Sequence, residues 1–385
     1  MRVRAASALS EHPLATHAVG ECVGRLLDAG GEGPPDLVVL FATEPHLGAF
    51  EDIARATREL LAPRTLVGAG AASVLAGRRE VEERGALAAF ALWSTGPGGV
   101  PAPVRIRATP TPEGPELGGL RALEGAEGAL LLFADPFTLP VERVLEELAR
   151  TAPGLTVIGG LASVARRPGG NRLLLDRTLH ADGAVGVLVP PSIPVGTVVS
   201  QGCRPIGDPL TVTRAERNRL LELAGRPAFG LLVDLVQSLP PEEQQLAVSG
   251  LHLGRVVDEY RAEFGRGDFL VRAVLGGDKE AGAVAVGDEI EVGATVQFHV
   301  RDARAADEDL AALMADRRAD GALVFTCNDR GRRLFGVPDH DADAISEALA
   351  DAPLAGMFCA GEIGPVGGRN HLHGSTASVA LFGAR

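Results

Sequence analysis

The sequence is almost without lysine: Lys279 is the only lysine among its 37 basic residues. It lies in a polar turn, 276–280, where its amine is expected to stay solvated and protonated. A protonated amine is a poor nucleophile, which argues against Schiff-base and pyridoxal phosphate chemistry. The sequence also has no GxxxxGK(S/T) motif, so it is not a P-loop nucleotide hydrolase.

Cysteines and long apolar runs are scarce as well. No apolar run approaches the roughly 20 residues needed to cross a bilayer, and charged and proline residues at 11–13 interrupt the N-terminus before the apolar region of a signal peptide forms. The cysteines have no CxxC spacing, which is typical of a reducing compartment and does not indicate a structural zinc site. We therefore expect a cytoplasmic protein. The four cysteines are Cys22, Cys203, Cys327 and Cys359.

Charge and length limit the classes further. The formal net charge is −13, from 50 acidic and 37 basic residues. A phosphate backbone is bound by a basic face, so nucleic acid is not an expected partner. A chain of 385 residues exceeds one compact core and suits two domains.

One pattern occurs three times along the chain: an apolar run, a helical stretch, a second apolar run, a polar turn and a third apolar run. The copies, which we call the first, second and third copy, span 36–93, 129–189 and 322–383. From the phenylalanine of the first run to the glycine that begins the last run, the spacing is 44, 50 and 49 residues. The predicted helices are 49–61, 141–149 and 342–349.

Such β-α-β-β units predict the fold class. The two strands that flank the helix should be parallel in a right-handed crossover, and the last strand should return antiparallel as a hairpin. We therefore expect an α/β (α+β) protein with mixed sheets flanked by helices. Between the second and third copies, the sequence instead predicts a hairpin, a helix and three strands: 211–214 with 219–223, 227–239, and then 269–275, 283–286 and 295–300.

We place a domain boundary near Pro205. The N-terminal domain, 1–205, then holds the first two copies, and the C-terminal domain, 206–385, holds the third. The connecting segment 190–194 is rich in proline but short. The two domains are therefore expected to pack together rather than to flex.

The third copy differs from the others where ligands usually bind in α/β sheets. Residues that follow Phe325 and Phe358 should emerge side by side at the carboxyl ends of neighbouring parallel strands. The connection that follows, 361–374, combines glycines, a carboxylate, a guanidinium, an amide and two imidazoles. We predict a small-molecule site here. Its candidate residues are Cys327, Asn328, Arg330, Gly331, Cys359, Glu362, Gly364, Gly367, Gly368, Arg369, Asn370, His371 and His373.

Other interpretations of these residues stay open. The glycines equally suit tight turns, and Arg369 equally suits an ion pair with Glu362. The cysteines suit small apolar core positions better than the positions of nucleophiles. A metal site that combines the histidines with a cysteine is a less favoured alternative, and we expect neither metal nor cofactor. Cys327 or Cys359 as nucleophile, with His371 or His373 as its base and Glu362 behind, would make the same site catalytic.

The chain resembles a known family at several motifs. Phe325-Thr326-Cys327-Asn328-Asp329-Arg330-Gly331, Leu334-Phe335-Gly336 and the run 361–374 resemble the C-terminal half of FIST sensory domains, whose name stands for "F-box and intracellular signal transduction". The segments 201–207 and 225–228 resemble the junction between the two FIST halves, and 36–42 and 66–72 fit the N-terminal half more loosely.

The resemblance implies a function. It predicts a standalone sensory protein that binds a small polar molecule, with amino acids or their relatives as the ligand class. Because the chain leaves no length for an output domain, a signal would pass to a partner protein or through homo-oligomer contacts. Two alternatives are a hydrolase or transferase at the same site and an interaction scaffold without a ligand.

Overall fold

The computed structural model describes residues 2–31, 33–95, 99–261, 263–265 and 267–384. Within these ranges no helix is long and apolar enough to cross a membrane. The helices are α1 Ala15–Ala29, α2 Glu44–Leu47, α3 Phe50–Leu61, α4 Val141–Thr151, α5 Ala228–Ser238, α6 Pro241–Ser249, α7 Ala303–Met314, α8 Arg332–Phe335 and α9 His340–Ala348. The strands up to the end of the second copy are β1 Arg2–Ser10, β2 Leu37–Ala42, β3 Thr65–Gly70, β4 Ser73–Ala76, β5 Arg79–Glu82, β6 Leu87–Thr95, β7 Ala102–Thr109, β8 Glu116–Gly118, β9 Gly128–Ala134, β10 Leu155–Leu161, β11 Leu173–Leu175, β12 Thr178–His180 and β13 Ala184–Val189. The later strands are β14 Val195–Gln201, β15 Cys203–Glu216, β16 Arg219–Leu223, β17 Arg226–Pro227, β18 Leu251–Val256, β19 Phe269–Asp278, β20 Ala283–Val286, β21 Thr295–Arg301, β22 Gly321–Cys327, β23 Leu354–Cys359, β24 Glu362–Val366, β25 Arg369–His373 and β26 Thr376–Phe382.

Contacts between residues divide the chain into two compact units. The first unit comprises Met1–Val199, Leu310–Leu372 and Thr376–Arg385, and the second comprises Ser200–Asp309 and His373–Ser375. The first two copies therefore lie in the first unit, and so does the third copy except for His373–Ser375. The division into sequence domains 1–205 and 206–385 stays a prediction. The compact units have different boundaries, because the third copy packs with the first two.

The three copies form three equivalent mixed sheets, as predicted. In each copy the strands that flank the helix are parallel: β2 with β3, β9 with β10, and β22 with β23. The last strand, β6, β13 or β26, is antiparallel as expected. One detail of the prediction is wrong, because this strand pairs with the first strand of its copy rather than as a hairpin with the second.

The polar turns of the copies are themselves hairpins, and each joins another copy's sheet. The first copy's hairpin adds β4 to β23, the second copy's adds β11 to β3, and the third copy's adds β24 to β10. The exchange is cyclic, so each sheet contains one hairpin from a different copy. The sheet orders are β1-β6-β2-β3-β11-β12, β25-β24-β10-β9-β13-β7-β8 and β14-β26-β22-β23-β4-β5.

Three phenylalanines join the copies at the centre of the first unit. Phe41, Phe133 and Phe325 occupy the same position in the first strand of each copy, and all three are fully buried. Their ring centroids are 5.4, 5.8 and 6.3 Å apart, which is the contact range of aromatic pairs. The equivalence of these residues, which the repeat pattern predicted, is confirmed.

The second unit is built on antiparallel strands. Its sheet runs β15-β21-β18-β19-β20-β16-β17, and β15 also pairs with β16, so the sheet closes on itself. Leu220, Val284 and Phe298 lie in its apolar core, and α5 contributes Leu232 to the same cluster. The predicted hairpin, helix and strands of this segment are all present.

We expect Phe133→Ala to lower the free energy of unfolding by about 3 to 5 kcal/mol, since it removes a buried ring and leaves a cavity among the three copies. Phe137→Ala is the matched control, because this side chain is 41% exposed and its loss should cost little. Urea unfolding followed by circular dichroism measures both. Equal losses in the two variants would contradict the central role of the ring cluster.

Candidate functional site

The carboxyl ends of β22 and β23 hold a cluster of buried polar side chains. Cys327 and Cys359, the last residues of these strands, are register partners, and neither forms a disulfide. Arg330 and Glu362 follow them and are both fully buried. The structure therefore brings these four sequence-predicted residues together at the edge of the sheet.

Glu362 is a fully buried acid, and Thr376 donates two hydrogen bonds to one of its oxygens. Its Oε2 accepts the Thr376 backbone N–H at 3.1 Å and the Thr376 hydroxyl at 2.8 Å. Its Oε1 has no hydrogen-bond partner among the described residues. Burial raises the pKa of Glu362 to about 8, although the hydrogen bonds from Thr376 and Cys327 and the charge of Arg330 oppose the shift. The carboxyl is therefore mainly protonated at neutral pH.

The other copies show what the fold itself requires at this position. Glu362 is the register partner of Gly160, whereas the corresponding hairpin residues Val74 and Leu173 face Met357 and Ala69. Val74 and Leu173 are buried members of the apolar core. Glu362 thus places a carboxyl group where the two other copies have an aliphatic side chain.

A second departure from the other copies lies on β26. Ser378 is the register partner of Phe325, at the position that Ala88 and Val185 occupy beside the other two phenylalanines. Its hydroxyl is buried and has no partner among the described residues. Thr376 and Ser378 point to the same face of the strand because side chains alternate. The third copy therefore adds polar groups to a core that is apolar in the others.

Arg330 is held by a buried ion pair. Its Nε and Nη2 donate to the two carboxylate oxygens of Asp341 at 2.7 and 2.8 Å, and the Thr326 hydroxyl donates to the same carboxylate at 2.6 Å. Burial alone would raise the pKa of Asp341, but the facing guanidinium holds it well below its ordinary value. Nη1 of Arg330 is buried and has no partner among the described residues.

The hairpin of the first copy completes the surroundings of this pair. Oε1 of Glu80, on β5, accepts the Ala342 backbone N–H at 3.0 Å, while Asp339 accepts the Glu80 N–H at 2.7 Å. Burial and the charge of Asp341 raise the pKa of Glu80 to about 8. Sequence reasoning missed Thr326, Asp341, Thr376, Ser378 and Glu80. Only Asp341 carried a signal, as an acidic residue at the start of a predicted helix.

The remaining predicted residues on the third hairpin lie elsewhere. Gly367 and Gly368 form the turn, with φ of +58° and +76°, which glycine adopts without strain. Arg369 follows the turn and is exposed. It is separated from Glu362 by the length of β24, roughly 13 Å at the rise of a strand. The structure does not bring Arg369 to Glu362, so neither the shared cleft nor the ion pair between them is present.

Asn370 and the histidines have other surroundings. The Asn370 amide accepts the Val157 N–H at 2.9 Å and donates to the Leu155 carbonyl at 2.8 Å, so it fastens the hairpin to β10. His371 is half-buried on β25, and His373 belongs to the second compact unit. In the part of the chain that the structure describes, no group of three or more histidine, cysteine or acidic residues has the arrangement of a metal site.

Three further residues of the predicted site, Gly331, Gly364 and Asn328, lie in close contact with neighbouring segments. Gly331, with φ of +57°, begins α8, and a side chain there would press on the carboxylate of Glu82 and the ring of Phe358. Gly364 lies against Ser378, where an added Cβ would stand 3.0 Å from the hydroxyl oxygen. Asn328 is half-buried and donates its backbone N–H to the Cys359 carbonyl at 2.9 Å.

Comparison with known proteins identifies related chains. A model of the FIST N domain matches residues 36–226, and a model of the FIST C domain matches 228–365. The uncharacterized protein Rv0628c of Mycobacterium tuberculosis is 43% identical over 382 residues, which cover 97% of this chain and 98% of the relative. The uncharacterized protein Mb0898c of Mycobacterium bovis is 43% identical over 376 residues, which cover 96% of each chain.

Arg330→Met should lower the free energy of unfolding by about 3 to 5 kcal/mol, because it leaves the Asp341 carboxylate buried without its counter-charge. The double variant Arg330→Met/Asp341→Leu should recover much of that loss, since both charges are then absent. Urea unfolding of the two single variants and the double variant measures the coupling. A double variant no more stable than Arg330→Met would show that the pair is not coupled.

Glu362→Leu should be at least as stable as the wild type at neutral pH, because Leu occupies the equivalent position in the second copy. The wild-type carboxyl stays protonated in the folded protein while the unfolded chain ionises, so wild-type stability falls as pH rises from about 4.5 to about 8. The stability difference in favour of the variant should grow across this window, by at most about 1.4 kcal/mol per pH unit. Urea unfolding at several pH values tests this, and a difference independent of pH would refute the buried neutral acid.

Proposed function

Because this chain belongs to the FIST family, whose domains are associated with sensory signal transduction, we propose that it is a sensory protein that binds an amino acid or a related small polar molecule at Glu362 and Arg330. The observation that carries the proposal is the pair of buried polar atoms without partners, Oε1 of Glu362 and Nη1 of Arg330. Leaving such an atom unsatisfied costs about 1 to 3 kcal/mol. A polar ligand that bonds to both would remove that cost.

The departure of the third copy from the other two supports the same interpretation. The first and second copies have Val74 and Leu173 at the position of Glu362 and still form equivalent hairpins. A carboxyl group is therefore not needed to form a sheet of this kind. Buried acids with strongly raised pKa values are frequent at functional sites. We attribute Glu362 to ligand binding on these grounds.

The chemistry of the two groups suits a zwitterion. A guanidinium N–H donates well to a carboxylate, and a carboxyl group that gives up its proton pairs with an ammonium. In this proposal Arg330 takes the role of anion anchor that the sequence alone suggested for Arg369. Asn328 is half-buried and Ala360 is exposed, and they directly follow Cys327 and Cys359, so in this proposal the ligand enters beside them.

The rest of the proposal concerns the signal. Asp341 holds Arg330 through Nε and Nη2, so ligand contact at Nη1 would act through the guanidinium on Asp341 and the first turn of α9. A partner protein or a second copy of the chain would receive the change. We propose a cytoplasmic location, in line with the scattered spacing of the cysteines, which does not form a disulfide framework.

A thermal-shift screen of the standard amino acids, followed by calorimetry of those that respond, tests the function. Glu362→Gln keeps the size of the side chain but cannot acquire a negative charge. It should weaken binding by about 1.5 to 3 kcal/mol, the range for a hydrogen bond to a charged group. Arg369→Ala is the matched control, because this exposed side chain lies away from the cluster and its loss should leave affinity unchanged.

Three results would contradict the proposal in different ways. No response of the wild type to any amino acid would reject the ligand class. Equal affinity of the wild type and Glu362→Gln would reject the site. Loss of binding in Arg369→Ala alone would place the anchor on the hairpin turn instead.

A further inference from the structure

Two cysteines lie opposite each other at the end of one strand pair. Cys327 and Cys359 are register partners on the parallel strands β22 and β23. Neighbouring strands are about 4.8 Å apart, and disulfides form across Cα separations of about 4.4 to 6.8 Å. Partners in register also direct their side chains to the same face of the sheet. The two sulfurs are therefore placed for a bond that needs only a local adjustment at the strand ends.

The fold does not require this pair. The positions equivalent to Cys327 and Cys359 hold Thr43 and Ala71 in the first copy, and Asp135 and Ala162 in the second. The neighbouring β10 makes room for one of the sulfurs, because a side chain at Gly160 would overlap the Cys359 Sγ. Two facing thiols are thus particular to the copy that contains Glu362 and Arg330.

We propose that Cys327 and Cys359 form a peroxide-responsive modification site, which closes to an intramolecular disulfide when the protein meets hydrogen peroxide or an organic hydroperoxide. Cys327 reacts first, since it is 7% exposed and adjoins the half-buried Asn328, whereas Cys359 is fully buried. Cys359 is the resolving thiol. Burial also raises the pKa of Cys359 well above its ordinary value, which makes it the poorer initial nucleophile.

The reaction balances with the hydroperoxide as the only oxidant. The Cys327 thiol gives up its proton, its sulfur attacks the peroxide, the O–O bond breaks, and Cys327 becomes a sulfenic acid. The hydroxide or alkoxide that leaves takes up that proton and becomes water or an alcohol. The Cys359 sulfur then attacks the Cys327 sulfur, the S–O bond breaks, and the hydroxide leaves as water with the thiol proton of Cys359. Two thiols are oxidised by two electrons in total, and one peroxide is reduced.

The bond would change the surroundings of the proposed ligand site. Cys327 contributes to the electrostatics of Glu362, and Glu362 and Cys327 both act on the thiol of Cys359. A disulfide removes both thiol protons from this cluster. The existence of the disulfide does not depend on the ligand, so its test is independent of the proposed function.

The test treats the reduced, full-length protein with hydrogen peroxide, alkylates the remaining thiols and maps the peptides without reduction by mass spectrometry. We expect one linked pair, the peptides of Cys327 and Cys359, with alkylated Cys22 and Cys203. Those two cysteines are the internal controls, because they are buried like Cys359 but have no cysteine opposite them: Cys22 lies on α1, and Cys203 faces Arg301.

A variant separates the two steps. Cys359→Ala carries the residue found at this position in both other copies, so it should fold. With peroxide and dimedone it should give a sulfenic acid adduct on Cys327 and no linked peptide. The proposal is overturned if Cys327 and Cys359 are both recovered alkylated after an exposure that oxidises glutathione in the same tube. Links that involve Cys22 or Cys203 in the folded protein would overturn it as well.

Discussion

The contact among Phe41, Phe133 and Phe325 is the constraint on which the first compact unit depends. Each ring comes from the first strand of one copy, so the three sheets meet through their apolar inner faces. A copy alone would leave that face exposed to water. Because each hairpin also pairs with another copy's sheet, backbone hydrogen bonds and apolar burial both require all three copies, and one copy is not expected to be stable by itself.

The polar cluster of the third copy lowers the stability that this apolar packing provides. Glu362 and Ser378 place polar groups beside rings that are surrounded by aliphatic side chains in the other copies. The penalty is limited because Thr376 satisfies one carboxyl oxygen and because the carboxyl group takes up a proton. Arg330 and Asp341 neutralise each other nearby. The third copy has these buried polar groups at positions where the other two copies have apolar side chains. This difference is the physical basis of the proposed site.

The repeat, its parallel and antiparallel strand pairs and the equivalence of the phenylalanines were predictable from the sequence, because apolar runs and spacing are local signals. The exchange of hairpins was not, since pairing between β4 and β23 joins segments about 280 residues apart and leaves no local trace. For the same reason no local pattern indicates that Glu80 approaches Asp341. The adjacency of Cys327, Cys359, Arg330 and Glu362 followed from the rule that neighbouring parallel strands end together. The prediction that Arg369 lies beside Glu362 is wrong. The segment predicted as a loop is a hairpin, and Arg369 lies at the far end of β24.

Proton release on ligand binding tests the central claim, that Glu362 is the group that receives the ligand, most directly. Calorimetry of an amino acid that binds, at pH 7 in buffers of different ionisation enthalpy, gives the number of protons exchanged. If the neutral Glu362 carboxyl ionises to pair with the ligand's ammonium group, the wild type should release most of one proton per ligand, and Glu362→Gln should release none. Tight binding by the wild type with no proton release would contradict the account.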